Sequence, residues 1–156
     1  MRIKIMNLKI GSEVKVRFEL EILEDGFPPI GVETLNATMI DENIVELDNT
    51  PFFAKSVAAG DLLKVSKTSS EHILQFESVL SRRGNKSIAI IFIDDTCKED
   101  VYQYFKSHGC YCEYGEFHDF NMLAVSIESG LDYSKLAPYL DEKEKLGELS
   151  YAELCI

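Results

Sequence analysis

The chain has 156 residues, with 16 basic and 27 acidic side chains, a formal charge of −11 and no tryptophan. That length can bury a real core, as one domain or two small ones. A surface this acidic repels a phosphate backbone, which argues against direct nucleic-acid binding, and no apolar run approaches the ~18 residues of a membrane span. The start, Met1 to Met6, lacks the continuous apolar block of a signal peptide. Four cysteines at 97, 110, 112 and 155 lack disulfide-scaffold spacing, so the expected state is reduced thiols in the cytoplasm. Charge is uneven along the chain: residues 1–83 carry a net −3 and residues 84–156 a net −8. The asymmetry suggests a basic partner meeting one face.

The first half reads as strands. Val14 to Ile22 alternates apolar and polar residues with period two, the pattern of a strand with one wet face. Glu24 to Pro29 breaks it. Val32–Ile40 and Ile44–Leu47 follow, separated by the turn Asp41-Glu42-Asn43. The stretch Asn49-Thr50-Pro51-Phe52-Phe53-Ala54-Lys55, closing on Gly60-Asp61, is too apolar for a surface loop yet is bounded by turn signals. It predicts a buried connection between strands, with room for one helical or 3₁₀ turn over residues 52–59. Leu62–Ser66 and Ile73–Leu80 complete five short strands, which favour a small closed or nearly closed β-barrel.

The polar run Ser81 to Lys86 marks a boundary between subdomains 1–83 and 84–156. Beyond it the pattern changes. Ile88–Ile93 is a continuous β-branched and aromatic run, the pattern of a buried strand. Thr96-Cys97-Lys98-Glu99 has capping-box spacing, and Val101, Phe105 and His108 follow at helical spacing before Gly109. Tyr111–Phe117 and Met122–Ile127 read as strands around a turn at residues 118–121. A second helix spans residues 132–146, with Leu136, Leu140 and Leu146 inward. Proline is tolerated only in a first turn, so Pro138 places the start of its regular part near Ser134. Residues 151–156 close as a strand. The order β-α-β-β-α-β is the ferredoxin-like split unit, so the fold class is α+β, a barrel followed by a ferredoxin-like half. Leu123, Val125 and Ile127, with Ala152, Leu154 and Ile156, are expected toward the helices. Cys112, Tyr114, Met122, Ala124, Tyr151 and Glu153 are expected on the opposite face, covered by the barrel or a partner.

Catalytic chemistry finds little support. His108, Cys110, Cys112 and His118 invite a zinc reading, but the cysteines are spaced CxC rather than CxxC. A strand at ~3.3 Å per residue also holds the histidines far apart. No nucleophile elbow, phosphate-cradling glycine loop or HExxH helix is present. Cys97 sits at a helix start, where a thiolate gains only modestly, and Asp94-Asp95 reads more simply as a solvated loop than as an acid–base or Mg²⁺ pair. Neither an enzyme nor a cofactor is expected. The remaining candidate is an acidic recognition surface. It would comprise Asp94 and Asp95 at the first strand–helix junction, Glu113, Glu116 and Asp119 at the hairpin, and Asp141, Glu142 and Glu144 late in the second helix. Tyr114, Phe117, Phe120 and Tyr151 are its candidate aromatic anchors.

The Asn49-x-Pro51-Phe52-Phe53 and Gly60-Asp61 motif resembles that of a bacterial family known only as a domain of unknown function. Val16-Arg17-Phe18, the Glu33-containing strand Val32 to Ala37, and Gly109-Cys110 extend the resemblance over roughly residues 12–150. The chain departs from the family pattern at Asn36, where members often carry Trp, and at Gly84-Asn85-Lys86-Ser87, where a Ser-Gly-His-Ser-like stretch is common. Any active-site role of those elements would be lost here. Some relatives resemble neighbours of polymorphic toxin genes, which implies an immunity protein of a contact-dependent inhibition system. The expected function is thus neutralisation of a basic toxin domain, a nuclease, by an acidic surface. The alternative is a small-molecule-binding or regulatory domain without catalytic activity.

Overall fold

The computed structural model describes residues 9–156, so the Met1–Met6 run lies outside the described residues. Five strands, β1 (Glu13–Glu19), β2 (Val32–Asp41), β3 (Ile44–Leu47), β4 (Leu62–Lys67) and β5 (Ile73–Ser81), form a closed barrel. Successive strands pair antiparallel, and β1 closes the ring by pairing parallel to β5 at Lys15 to Arg17. The period-two pattern explains the packing directly. Val14, Val16 and Phe18 of β1 and Leu35, Ala37 and Met39 of β2 point inward, and Phe18 stacks on Phe76 at 4.8 Å.

The second half runs β6 (Lys86–Phe92), a 3₁₀ turn at Asp95–Cys97, α1 (Lys98–Ser107), β7 (Tyr111–Phe117), β8 (Phe120–Ile127), a 3₁₀ turn at Tyr133–Lys135, α2 (Ala137–Lys145) and β9 (Leu149–Cys155). The sheet order β7-β8-β6-β9, antiparallel throughout, is the expected ferredoxin-like arrangement. Both helices cover one face. Val101 and Phe105 of α1, Leu140 of α2 and Leu136 just before it meet Ile88, Ile90, Leu123, Val125 and Ile127.

Several local expectations are corrected. Residues 52–59 form bends and a turn, not a helical turn. The 3₁₀ turn leading into α1 is capped by Asp94, whose carboxylate accepts from the Thr96 amide at 3.0 Å and its hydroxyl at 2.7 Å, so Thr96 is a donor here rather than the cap, and Cys97 at the start of α1 makes no side-chain cap bond. Pro138 lies in the first turn of α2, as its missing N–H requires. Leu146, expected inward, follows the last helical turn and is 65% exposed, and His108 is exposed at the end of α1. The hairpin turn is only His118-Asp119, with His118 at φ 54°.

Residues directly opposite in an antiparallel pair share a face. Cys112 and Tyr114 oppose Val125 and Leu123, so they lie on the helix side, contrary to expectation. Tyr151 and Glu153 oppose Ile90 and Ile88 and join them there, while Ala152, opposite Ala89, turns toward the barrel. The pairing of β6 with β9 shifts between Ser87 and Ile88, and Leu154 also faces the barrel. Ile156 ends the chain 67% exposed. Met122 and Ala124 do face away from the helices, and the barrel covers that face as expected.

The seam between the halves is apolar: Phe52, Phe53, Ala89, Met122, Ala124 and Leu154 are buried together, flanked by Phe27, Phe117 and Phe120. Phe117 makes edge contacts with both Phe52 and Phe53 at 5.0 and 4.9 Å. The motif segment is the barrel's contribution to this seam, and two carboxylates hold it. Glu33, at an inward position of β2 and 4% exposed, accepts the amides of Phe52, Phe53 and Ala54 at 2.7, 3.1 and 2.8 Å. Asp61, 1% exposed, accepts from Ala58 and Arg83 and faces the Arg82 guanidinium at 3.6 Å.

Two stability predictions follow from this arrangement. In Glu33→Gln an amide NH₂ must face a backbone N–H, leaving donors unmatched, so a loss of about 3 kcal/mol or more is expected in urea unfolding. Burial raises the Glu33 carboxyl above its usual value of 4.5, against the downward pull of the three amides. The folded form then holds this proton more tightly than the unfolded chain. Its contribution is complete below about pH 4.5 and declines as pH rises through the folded value, a slope that Glu33→Gln should remove. A Cβ at Gly115 would lie 2.6 Å from Phe52 and 2.8 Å from Phe117. Gly115→Ala should therefore cost about 1–3 kcal/mol by overpacking, read as a lower thermal midpoint for the whole chain.

Candidate protein-binding site

Strand direction decides where the acidic clusters fall. β6 ends at Phe92, opposite Asn121 near the start of β8 and Leu149 at the start of β9, and β7 ends at Phe117 opposite Phe120. The first strand–helix junction, the hairpin and the end of α2 therefore share one end of the sheet. Hydrogen bonds tie the three together. Asn121 Nδ2 donates to both carboxylate oxygens of Asp95 at 3.0 and 3.1 Å, joining hairpin and junction. The amides of Ile93 and Asp94 donate to the Glu148 carbonyl at 3.0 Å, joining the junction to the segment after α2.

Asp94, Asp95, Glu116 and Asp119 are exposed at this end, with Glu99 and Asp100 in the first turn of α1 beside them. Asp94 is held below its usual carboxylate range by the Thr96 hydroxyl and amide. Among the described residues, none of the eight candidate carboxylates forms an ion pair; the ion-paired acids are Asp61, Glu46, Glu71 and Glu148. Nearby cations are partly engaged: Lys143 pairs with Glu148 at 2.9 Å and Lys98 lies 5.6 Å from the Tyr114 ring.

Other candidates lie further along. Asp141 accepts from the Tyr151 hydroxyl, a bond that raises the phenol to about 12. Glu144 accepts from the Tyr151 amide at 3.3 Å, and Glu142 is exposed on α2. Glu113 is half-buried, opposite Ala124 on the barrel side of β7. Tyr114 is 43% exposed, stacks on Tyr102 at 5.0 Å and donates to the Lys98 carbonyl, so it is preorganised for contact. Phe117 and Phe120 are engaged in the seam, Phe120 against Phe27 at 5.9 Å.

Metal and nucleophile chemistry find no assembled site. No group of three His, Cys, Asp or Glu side chains converges among the described residues. The His108 ring contacts the Tyr104 carbonyl at 2.7 Å, and burial pushes the Cys110 and Cys112 thiols up to about 11 and 12. Cys97 donates to the Asp94 carbonyl, and burial raises its thiol too, opposing any activation by the helix.

One feature escaped the sequence reading. A cleft of about 470 Å³ opens along the seam, lined by Phe18, Leu20, Leu23, Phe27, Phe53, Phe76, Ile91 and Ala152 among others. Its only sequence signal was Leu20 to Leu23, apolar residues running past the end of β1 into the Phe27-Pro28-Pro29 loop.

If Glu116 and Asp119 serve no structural pair, Glu116→Gln with Asp119→Asn should leave the fold intact and hold or raise the thermal midpoint at low salt. Any gain should vanish near 0.5 M salt, where screening is nearly complete over ~4–5 Å. A lower midpoint would assign these carboxylates to the fold.

Comparison with known proteins places this geometry in a family. The model of the domain of unknown function DUF4265 matches residues 33–151. A solved structure, described as a hypothetical protein from Neisseria gonorrhoeae, aligns at a TM-score of 0.73 and 21% identity, covering 96% of this chain and 97% of that one. That likeness is one of fold. No curated protein matches the chain. No helix among the described residues is long and apolar enough to cross a membrane. The chain belongs to the DUF4265 family.

Proposed function

We propose that this member of the DUF4265 family is an immunity protein, which binds a basic toxin domain in the cytoplasm and covers its active site with carboxylates. The observation that carries this reading is the meeting of two acidic clusters distant in sequence, Asp94–Asp95 and Glu116–Asp119, at one end of the sheet without ion pairs among the described residues. Such an end concentrates negative potential, which speeds encounter with a cationic surface and penalises wrong partners. A nuclease toxin must hold a polyanion, so its active site is cationic, and carboxylates can occupy the places of phosphates there. Tyr114, rigidly stacked beside the acidic end, supplies aromatic contact area at low entropic cost. The reading involves no catalysis and no cofactor.

The test uses the product of the gene next to this one, which this reading expects to be a basic toxin. Co-expression should rescue cells from its toxicity, and the purified pair should associate at a rate that falls steeply with salt. Glu116→Lys with Asp119→Lys and Glu142→Lys should slow association by ~10-fold or more at low salt while changing dissociation less. Absence of rescue, or an on-rate indifferent to both salt and charge reversal, would remove this reading. The seam cleft is the observation that favours the second reading, a small-molecule-binding domain.

A further inference from the structure

The seam cleft is the least explained apolar surface on the molecule. Its floor is aromatic and aliphatic: Phe18 and Phe76 at the mouth of the barrel, Phe53 from the motif segment, and Ile91 and Met122 from the sheet. Leu23, 54% exposed, sits on the Leu20–Phe27 loop at its rim. A monomer gains nothing by keeping this much apolar lining wet. The volume is that of a binding pocket rather than a packing fault.

Charge along the banks indicates the occupant. Glu19 and Glu21 line the barrel bank. The sheet bank is Ser150, Tyr151 and Ala152, beginning two residues after Glu148 at the acidic end. Ser150 and Ala152 turn their side chains into the cleft, whereas Tyr151 contributes backbone and points to the helix side, where its hydroxyl meets Asp141. Lys55 is the one cation of the lining among the described residues. An apolar trough with carboxylates along one bank complements a segment that sets apolar anchors beside lysines or arginines.

We propose that the seam cleft receives an aromatic or branched aliphatic anchor from a basic segment of the protein partner, with flanking cations reaching Glu19 and Glu21. The inference rests on the cationic-partner reading above and extends it: the acidic end steers the partner, and the cleft holds it. Long-range charge sets the association rate and buried apolar area the dissociation rate.

The full chain is tested with two heptapeptides of equal charge. One has phenylalanine, isoleucine and phenylalanine at its centre between lysine pairs; the other carries serine at those three positions. Burial of one such anchor contributes about 1.5–3 kcal/mol, so the apolar peptide should bind at least ~10-fold tighter. Ala152→Trp, at an exposed lining position, should fill the trough and abolish that ratio with the far-ultraviolet spectrum unchanged. Leu23→Ser, on the exposed rim, should reduce it without demanding repacking of the core. Glu116→Gln with Asp119→Asn should weaken both peptides equally and keep the ratio. Equal, salt-sensitive affinity of the two peptides would overturn the anchor proposal while sparing the acidic end. Failure of both peptides to bind, or a ratio that survives Ala152→Trp, would overturn it as well. So would a small apolar molecule retained on the purified chain in native mass spectrometry and lost in Ala152→Trp, or a dimer that this substitution dissolves.

Discussion

The structure depends on one buried carboxylate. Glu33 projects from an inward position of the barrel and takes three consecutive amides, so a segment with no ladder of its own has its donors satisfied inside the protein. Orphaned donors at that depth would force the segment outward to water. Instead Phe52 and Phe53 are pinned with their rings toward the sheet, and the apolar seam forms around them. Asp61 performs the corresponding task at the far end of the segment, gathering Ala58, Arg82 and Arg83 where the chain leaves the barrel. The seam is thus apolar in its contacts and electrostatic in its scaffolding.

This division explains the two sorts of acidic residue in the chain. Glu33 and Asp61 are buried and bonded, and serve the fold. Asp94, Asp95, Glu116 and Asp119 at the end of the ferredoxin-like sheet are exposed, and among the described residues the Asp95–Asn121 link is the one contact their side chains make to a distant segment. A sequence lists both kinds identically. Burial separates them, and only the second kind is available to a partner.

Much of the architecture was legible because each half obeys a single period. Val14, Val16 and Phe18 announce a strand with one wet face, and the switch to β-branched runs and helical spacing after Lys86 announces the second unit. What was not legible depended on pairings. The faces of β7 and β9 follow from which residue stands opposite Leu123 or Ala89, and the mixed polarity of those strands, with no clean period of two, leaves that open. The cap at α1 was misplaced because Asp94 and Thr96 are both good caps, and only the preceding 3₁₀ turn distinguishes them. The acidic clusters were visible one by one, but their meeting at one end is a property of strand order. The cleft had almost no signature, since its lining comes from segments far apart along the chain.

Closure of the barrel by the parallel pairing of β1 with β5 bears on how the family itself is delimited. The matched region starts at residue 33, inside β2, and so omits the strand that completes the ring. A protein cut at those limits would present two raw sheet margins, one on β2 and one on β5, and would strip Phe76 of its stacking partner. Unpaired margins recruit other chains. The matched stretch of sequence thus holds only part of the closed ring of strands to which it belongs.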